Sequence, residues 1–422
     1  MTPGALLDAC SALLREVLRF DAPADNVVAG FFRKHRGLGA RERHTLADTV
    51  YDVLRRLLLY KHLAQGAPKD GAPVERRLGA LGWAGTAEFL KAALSEAEQA
   101  WLAAAHAVDR ATLAPELRHN LPDWIARPLH EQLGDAAFWA LVDALDRSAP
   151  LDLRVNTVKA KRDAVRAALA AAGIDCELTA WSPWGLRVKG KPALYTLDAF
   201  VRGEFEVQDE GSQLLAALVD AKRGEMVVDF CAGAGGKTLA LGAGMRNTGR
   251  LYAFDVSGHR LEALKLRLAR SGLSNVHPVQ IAHERDDRVR RLAGKVDRVL
   301  VDAPCSGLGT LRRSPDLKWR QSPAVLTELQ ARQTAILASA AVLLKPGGRL
   351  VYATCTLLKA ENESVLNVFS NSHPGFERLD VQRLLEVGGV PGAKALADAG
   401  NLRLWPHLHA TDGFFAAVWR KS

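Results

Sequence analysis

A doubly wound α/β fold, preceded by a small αβ layer and an all-α segment, is what this sequence predicts. Three observations predict it. From about Gln208 to the end, short apolar runs alternate with helical patterns, the order expected of a parallel sheet covered on both faces. The first of those runs leads into a glycine-rich turn and a helix start, Val227-Val228-Asp229-Phe230-Cys231-Ala232-Gly233-Ala234-Gly235-Gly236-Lys237-Thr238. Before about residue 112 only helical periodicity is found.

The elements follow in order. Leu6, Leu7, Cys10, Leu13, Leu14, Val17 and Leu18 recur at helical spacing, and Leu46, Val50, Val53, Leu54, Leu57 and Leu58 do so after Arg41-Glu42-Arg43-His44. This first region, 1–112, reads as a helical module with basic edges (Arg33, Lys34, Arg36, Arg41, Arg43, Arg55, Arg56, Lys61). Proline and glycine mark a loop from Gly66 to Pro73, and residues 111–122 lead into a second region, 113–207. There Asp123 to Asp146 reads as helix and Leu151 to Asn156 as strand. Lys161 to Ala172 is a helix ended by Gly173, and Leu186–Val188 and Phe205–Val207 complete the layer. The third region, 208–422, has strand candidates at 226–230, 251–255, 277–281, 297–302, 348–354, 376–381 and 414–419. Its helices include 237–245, 259–271 and 325–344, and Lys345-Pro346-Gly347-Gly348 is expected to be a turn.

Composition narrows the function classes. A chain of 422 residues is too long for one ordinary core, and no uncharged run reaches the roughly 18 residues of a membrane-spanning helix. The first ten residues resemble an amphipathic helix rather than a secretory leader, so a cytoplasmic protein is expected. Five cysteines, odd in number and widely spaced, argue against both a disulfide framework and a zinc site. No metal is expected, and a monomer is. A net charge of +9 favours a polyanionic partner such as RNA.

The glycine turn excludes two cofactor classes by position. A phosphate-binding P-loop needs glycine where Cys231 stands, and the dinucleotide fingerprint needs one where Thr238 stands. A shorter loop remains, suited to a nucleotide-type cofactor without a pyrophosphate, such as S-adenosylmethionine. Asp255, at the end of the next strand, is placed to meet ribose hydroxyls. Two cysteines then draw attention: Cys305 in Asp302-Ala303-Pro304-Cys305-Ser306-Gly307 and Cys355 in Ala353-Thr354-Cys355-Thr356. Each follows an apolar strand, and ligands of open α/β sheets sit at the carboxyl ends of such strands. Both sulfurs are therefore expected in one pocket.

Together these motifs resemble the RsmB and Nol/Nop/Sun family of RNA cytosine-5 methyltransferases. Leu153-Arg154-Val155-Asn156, Gln208-Asp209-Glu210-Gly211-Ser212-Gln213, Arg312-Arg313-Ser314-Pro315-Asp316-Leu317-Lys318-Trp319 and Thr411-Asp412-Gly413-Phe414-Phe415 support the resemblance, which covers about residues 120–420. The preceding helices resemble, more loosely, a NusB-like RNA-binding domain.

The resemblance implies a Rossmann-like methyltransferase sheet that uses S-adenosylmethionine. Its cofactor contacts would be Cys231, Ala232, Gly233, Ala234, Gly235, Gly236, Lys237, Asp255, Ala282 and Asp302. Cys355 would be the nucleophile that adds to carbon 6 of cytosine, and Cys305 would assist release of the product. Asp302 would hydrogen-bond the base, and Lys237 is a candidate to favour the thiolate. Arg154, Asn156, Arg312, Arg313, Lys318 and Trp319 are the expected RNA contacts, with Arg285, Arg288, Arg290 and Arg291 as a further basic run.

Two positions depart from the family pattern. Gly233-Ala234 stands where Ala-Pro is usual, and Ala282 stands where an acid usually holds the adenine, with Glu284 and Asp286 as candidates to replace it. Small-subunit ribosomal RNA is the preferred substrate. Transfer RNA, or a non-catalytic assembly role on the same scaffold, are the alternatives.

Overall fold

The structure is a computed structural model that describes residues 1–69 and 71–422. It divides into two compact units, Met1–Ser148 with Thr310–Pro323, and Ala149–Gly309 with Ala324–Ser422. The expected boundaries at 112 and 207 differ from this division, which keeps residues 113–148 with the helices and the small layer with the main sheet.

The first unit is helical. Its early helices, Pro3–Val17, Ala24–Lys34 and Ala40–Arg55, bury Leu7, Cys10, Leu13 and Leu14 against Leu46, Val50, Val53 and Leu54. Burial pushes the Cys10 thiol up to about 12, so it behaves as a small apolar side chain. The apolar stripe expected to run through Leu58 resets at Arg56, where the helix ends and Leu57–Leu63 begins. Leu57, Leu59 and Tyr60 are buried and Leu58 is not. Gly134, at φ 73, breaks the helix expected over 123–146 into Asp123–Leu133 and Asp135–Leu145.

The second unit holds two sheets. Four short antiparallel strands, β1 (Leu151–Val155), β2 (Cys176–Leu178), β3 (Gly185–Val188) and β4 (Phe205–Val207), lie in the order β2-β3-β1-β4. The large sheet contains β5 (Met226–Asp229), β6 (Arg250–Asp255), β7 (Val276–Gln280), β8 (Val296–Asp302) and β9 (Leu344–Thr354). It is completed by β10 (Phe376–Leu379), β11 (Ala397–Asp398), β12 (Asn401–Leu404) and β13 (Phe414–Lys421). Its order is β11-β12-β13-β9-β8-β5-β6-β7, with β10 paired to β13. The strands from β5 to β9 run parallel, and β13 inserts antiparallel beside β9.

Alternation along these strands makes two cores. Val227, Leu251, Ala253, Leu300, Val351 and Ala416 face one helical layer, while Val228, Phe254, Val299, Val301, Tyr352 and Phe415 face the other. Chain order reverses between β5 and β8, with β6 and β7 on one side and β9 on the other. A crevice at the carboxyl ends of the strands is expected at such a switch point. The turn expected at Lys345–Gly348 is instead absorbed into β9. Gly347 takes φ 77 there, and the β8–β9 register shifts between Val296 and Arg298. Strands β11 and β12, and β2 in the small sheet, were not expected from the sequence.

Candidate active site

The glycine turn is built by the strands beneath it. Phe230 N–H donates to Leu300 O at 2.8 Å and Ala232 N–H to Phe254 O at 2.8 Å, so the chain leaves β5 pinned to both neighbours. Gly235, at φ 85, caps the helix Gly236–Gly244, and a Cβ there would lie 2.1 Å from Leu264 Cδ1. Only glycine fits. Asp255, at the end of β6, accepts from Gly233 N–H at 2.8 Å and from Ser257 N–H at 2.7 Å. Asp229 Oδ2 accepts from the Thr238 hydroxyl at 2.7 Å, whereas its buried Oδ1 has no donor. Burial pushes the Asp229 carboxyl up to about 7. Glycine backbone, an acid at the next strand end and an unsatisfied acceptor at the loop base fit a nucleoside-type cofactor.

The two cysteine loops follow from the pairing of β8 with β9. Asp302 lies opposite Ala353 in that register, and each strand delivers its cysteine a few residues further on. The sulfurs of Cys305 and Cys355 are 3.3 Å apart, and the Cys355 N–H also points to Cys305 Sγ at 3.3 Å. The hydrogen bond to Cys355, burial and the nearby charges of Cys355 and Glu361 hold the Cys305 thiol well above its usual range. Cys305 therefore keeps its proton and can donate it to the other sulfur. Cys231 is equally inert as a nucleophile, because burial and the carboxylates of Asp229, Asp302 and Asp255 push its thiol well up.

Lys237 Nζ donates to Asp302 Oδ2 at 2.7 Å and lies 5.8 Å from the centre of the Phe414 ring. Burial, the largest single influence, lowers its pKa, but the charge and hydrogen bond of Asp302 together with the charges of Cys355 and Asp229 raise it overall. A cation is thus fixed within electrostatic reach of Cys355. Gly233, Gly235, Asp255, Lys237, Asp302, Cys305 and Cys355 all come from carboxyl ends of adjacent strands.

Several expected RNA contacts do not face solvent. Arg154 is 2% exposed and its Nε donates to Gln208 at 2.6 Å, with burial lowering its pKa to about 10. Asn156, 3% exposed, donates to Gly203 O at 2.9 Å and Ser271 O at 3.0 Å. Asn156 ties the small layer to the end of the helix Gly258–Ser271, and Arg154 is held by the Gln208 side chain, because a buried polar side chain must be satisfied. Lys318 and Arg312 are buried too. Lys318 Nζ donates to Arg55 O at 2.7 Å, and burial lowers its pKa to about 7. Trp319 is half-buried with Nε1 donating to Leu54 O at 2.9 Å, and Arg313 is half-buried. Among the other basic residues considered, Arg33, Lys34, Arg36, Arg41 and Lys61, and Arg285, Arg288, Arg290 and Arg291, are exposed, whereas Arg43, Arg55 and Arg56 are half-buried.

Ala282 lies exposed after β7, and its N–H donates to Asp286 Oδ2 at 2.9 Å. Of the two acids weighed as substitutes, Asp286 is the one folded back onto Ala282, while Glu284 pairs with Arg285 at 3.5 Å. Sequence reasoning missed Ser306, Gln333, Glu361 and Asn362, which surround the cysteine loops. Among the described residues no group of three or more His, Cys, Asp or Glu side chains could hold a metal, and no helix is long and apolar enough to cross a membrane.

The chain is similar to several known proteins. Residues 216–420 match the family described as 16S rRNA methyltransferase RsmB/F, and residues 121–194 match its RsmF/B-like ferredoxin-like domain. A probable ribosomal RNA small subunit methyltransferase B of Synechocystis is 30% identical over 442 residues, spanning 97% of this chain and 98% of the relative. A Bacillus subtilis protein of the same description is 34% identical over 74% of this chain and 68% of its own length. Among solved structures, that of PH0851 superposes with a TM-score of 0.79 at 27% identity, covering 100% of this chain and 99% of the other. A methyltransferase homologue from Pyrococcus horikoshii gives 0.62 at 29% identity, over 74% of this chain and 100% of its own. The chain belongs to the RsmB/F family of 16S rRNA methyltransferases, in line with the RsmB and Nol/Nop/Sun family that its motifs resemble.

Proposed function

We propose that this methyltransferase of the RsmB/F type transfers a methyl group from S-adenosylmethionine to carbon 5 of a cytosine in small-subunit ribosomal RNA. The observation that carries the proposal is the 3.3 Å contact between Cys305 and Cys355 at the strand ends flanking the glycine turn. Carbon 5 of cytosine is a poor nucleophile. Addition of the Cys355 thiolate to carbon 6 forms a carbon–sulfur bond and moves the ring double-bond electrons onto carbon 5. Bound against Gly233, Gly235 and Asp255, S-adenosylmethionine would supply an electrophilic methyl group. Transfer of the carbon-5 proton to a base such as water then returns the electron pair to the carbon 5–carbon 6 bond, breaks the carbon–sulfur bond and releases Cys355 as a thiolate.

Each neighbouring group has a part in this sequence. The Cys305 thiol, held protonated, hydrogen-bonds Cys355 and stabilises its thiolate both before attack and on departure. The Lys237 ammonium favours the same thiolate by charge. Asp302 gives Oδ2 to Lys237, which leaves Oδ1 to accept from the exocyclic amino group of the base. The base must leave its stack to reach these groups, which suits a single-stranded or opened RNA segment. The names borne by the relatives favour the small subunit as the source of that RNA.

Bisulfite sequencing of ribosomal RNA from a strain lacking the gene tests the reading directly. One cytosine in the small-subunit RNA should lose its protection, and unchanged protection throughout would overturn the proposal. Trapping tests the roles: Cys305→Ala should accumulate a covalent RNA adduct and Cys355→Ala should not. The reverse pattern would exchange the two cysteines.

A further inference from the structure

Beside the cysteine loops lies a buried polar cluster that the chemistry above does not use. Glu361 is fully buried. Its Oε1 accepts from Ser306 N–H at 2.8 Å and from Gln333 Nε2 at 2.9 Å, and its Oε2 from the Ser306 hydroxyl at 2.5 Å. Gln333 Nε2 also reaches Pro304 O at 3.0 Å. The two residues that flank Cys305 are therefore held from one carboxylate and its partner. Asn362 does the same for the other loop: its Oδ1 accepts from the Thr354 hydroxyl at 2.6 Å and its Nδ2 donates to Thr356 O at 3.3 Å. The Ser306 and Thr356 hydroxyls, 2.9 Å apart, join the two halves.

We propose that Glu361 and Asn362 are positioning residues that set the approach of the two sulfurs, Glu361 by clamping the Cys305 loop and Asn362 the Cys355 loop. A buried carboxylate is costly, and packing alone would be served as well by an apolar side chain. Here all three donors to the carboxylate sit on the Cys305 loop or on the glutamine that supports it, so the charge is spent on holding that loop. The sequential arrangement matters: adjacent residues, 361 and 362, each grip one loop, which ties the loops to one short rigid segment just before the helix Glu363–Ser372. An error of about 1 Å in such an arrangement is enough to cost roughly a hundredfold in rate. The negative charge of Glu361 also contributes to keeping the Cys305 proton in place.

The proposal deepens the cysteine reading, on which its catalytic consequence rests, and two measurements separate them. The first ignores catalysis: oxidation of the full-length protein with diamide, followed by peptide mass mapping of a Cys305–Cys355 disulfide. Glu361→Ala and Asn362→Ala should slow this cross-link about tenfold or more relative to the native protein at equal folded fraction, and an unchanged rate overturns the positioning role. The second is trapping: Glu361→Ala should lower kcat about a hundredfold with KM for RNA unchanged and should accumulate covalent RNA adduct, as Cys305→Ala does. Glu361→Gln, which keeps an acceptor for Ser306 N–H, should restore much of the rate. A purely structural role would instead lower activity only in proportion to the folded fraction, with no adduct. If Glu361→Ala does not fold, Ser306→Ala removes only the hydroxyl link and should shift both readouts the same way to a smaller extent; no shift in either counts against the clamp. If Cys305→Ala itself holds no adduct while the cross-link is slowed, the cysteine reading fails and the positioning stands.

Discussion

Asp229 is a residue whose environment changes its chemistry without placing it at the reacting atoms. Its carboxyl is pushed from 3.8 to about 7 by burial, against the help of the Thr238 hydroxyl. For an acid whose folded pKa is raised, the neutral form is favoured in the folded state. The associated stability is fully present below pH 3.8 and is lost as pH rises through 7. At a slope near 1.4 kcal/mol per pH unit, the loss across that window is on the order of 4 kcal/mol for this one group. Asp229→Asn keeps an acceptor for Thr238 and removes the titration. Urea unfolding of the second unit should show the variant gaining stability over the native chain at pH 8 and converging with it at pH 4; a constant difference at both would refute this account. The residues in the cysteine and glycine motifs were readable because each follows an apolar strand, where sheet topology brings distant segments together. Glu361 was not, since an acid among Lys359, Asn362 and Glu363 reads as a solvated turn. Arg154 and Asn156, expected at RNA, are buried, and for a related reason this was not legible: a cation or amide near a strand end looks the same in sequence whether it meets a phosphate or a neighbouring oxygen of the protein.

At the level of elements, the site depends on how closely loops can cross. Gly309 N–H donates to Cys355 O at 2.8 Å, and Gly413 N–H donates to Gly309 O at 2.8 Å, so the Cys305 loop, the Cys355 loop and the turn before β13 meet at one residue. A Cβ on Gly309 would lie 2.0 Å from the Gly413 carbonyl oxygen, a backbone atom that cannot rotate away. Gly309→Ala should therefore destabilise by about 1–3 kcal/mol and spread the sulfur pair, seen as slower diamide cross-linking of Cys305 to Cys355. A native cross-linking rate would mean the loops adjust elsewhere. The parallel strands β5, β6, β8 and β9 were legible as apolar runs because helices cover both faces. Strand β12 was not. Its Arg403 is buried between the rings of Trp405 and Phe415 and paired with Glu363, and Asn401 is buried beside it. Buried polar residues in a strand erase the alternation that marks it.

For the whole molecule, the informative feature is a segment that leaves the unit in which its neighbours lie. Thr310–Pro323 follows the Cys305 loop in sequence but belongs to the helical unit. It is held there by Trp319 Nε1 to Leu54 O, Lys318 Nζ to Arg55 O at 2.7 Å, Arg55 Nη2 to Arg312 O at 2.7 Å, and Ala24 N–H to Asp316 Oδ2 at 3.1 Å. The change from helical periodicity to alternating strand and helix was readable, whereas this excursion was not, because a run mixing Arg, Lys and Trp is as suited to RNA as to packing between helices. The consequence is physical. A chain shortened to residues 149–422 would keep both sheets of the second unit but leave 310–323 without its partners, exposing Leu311 and Trp319 and removing the carbonyl that satisfies Lys318. Such a segment should open locally at little free-energy cost and become a protease target. Limited trypsin digestion should cut after Arg312, Arg313, Lys318 or Arg320 in the shortened chain at least about tenfold faster than in the full chain, where local opening must first break these contacts. Equal cleavage rates at those four bonds would show that the helical unit does not hold the segment, and the buried placement of Arg312 and Lys318 would lose its basis.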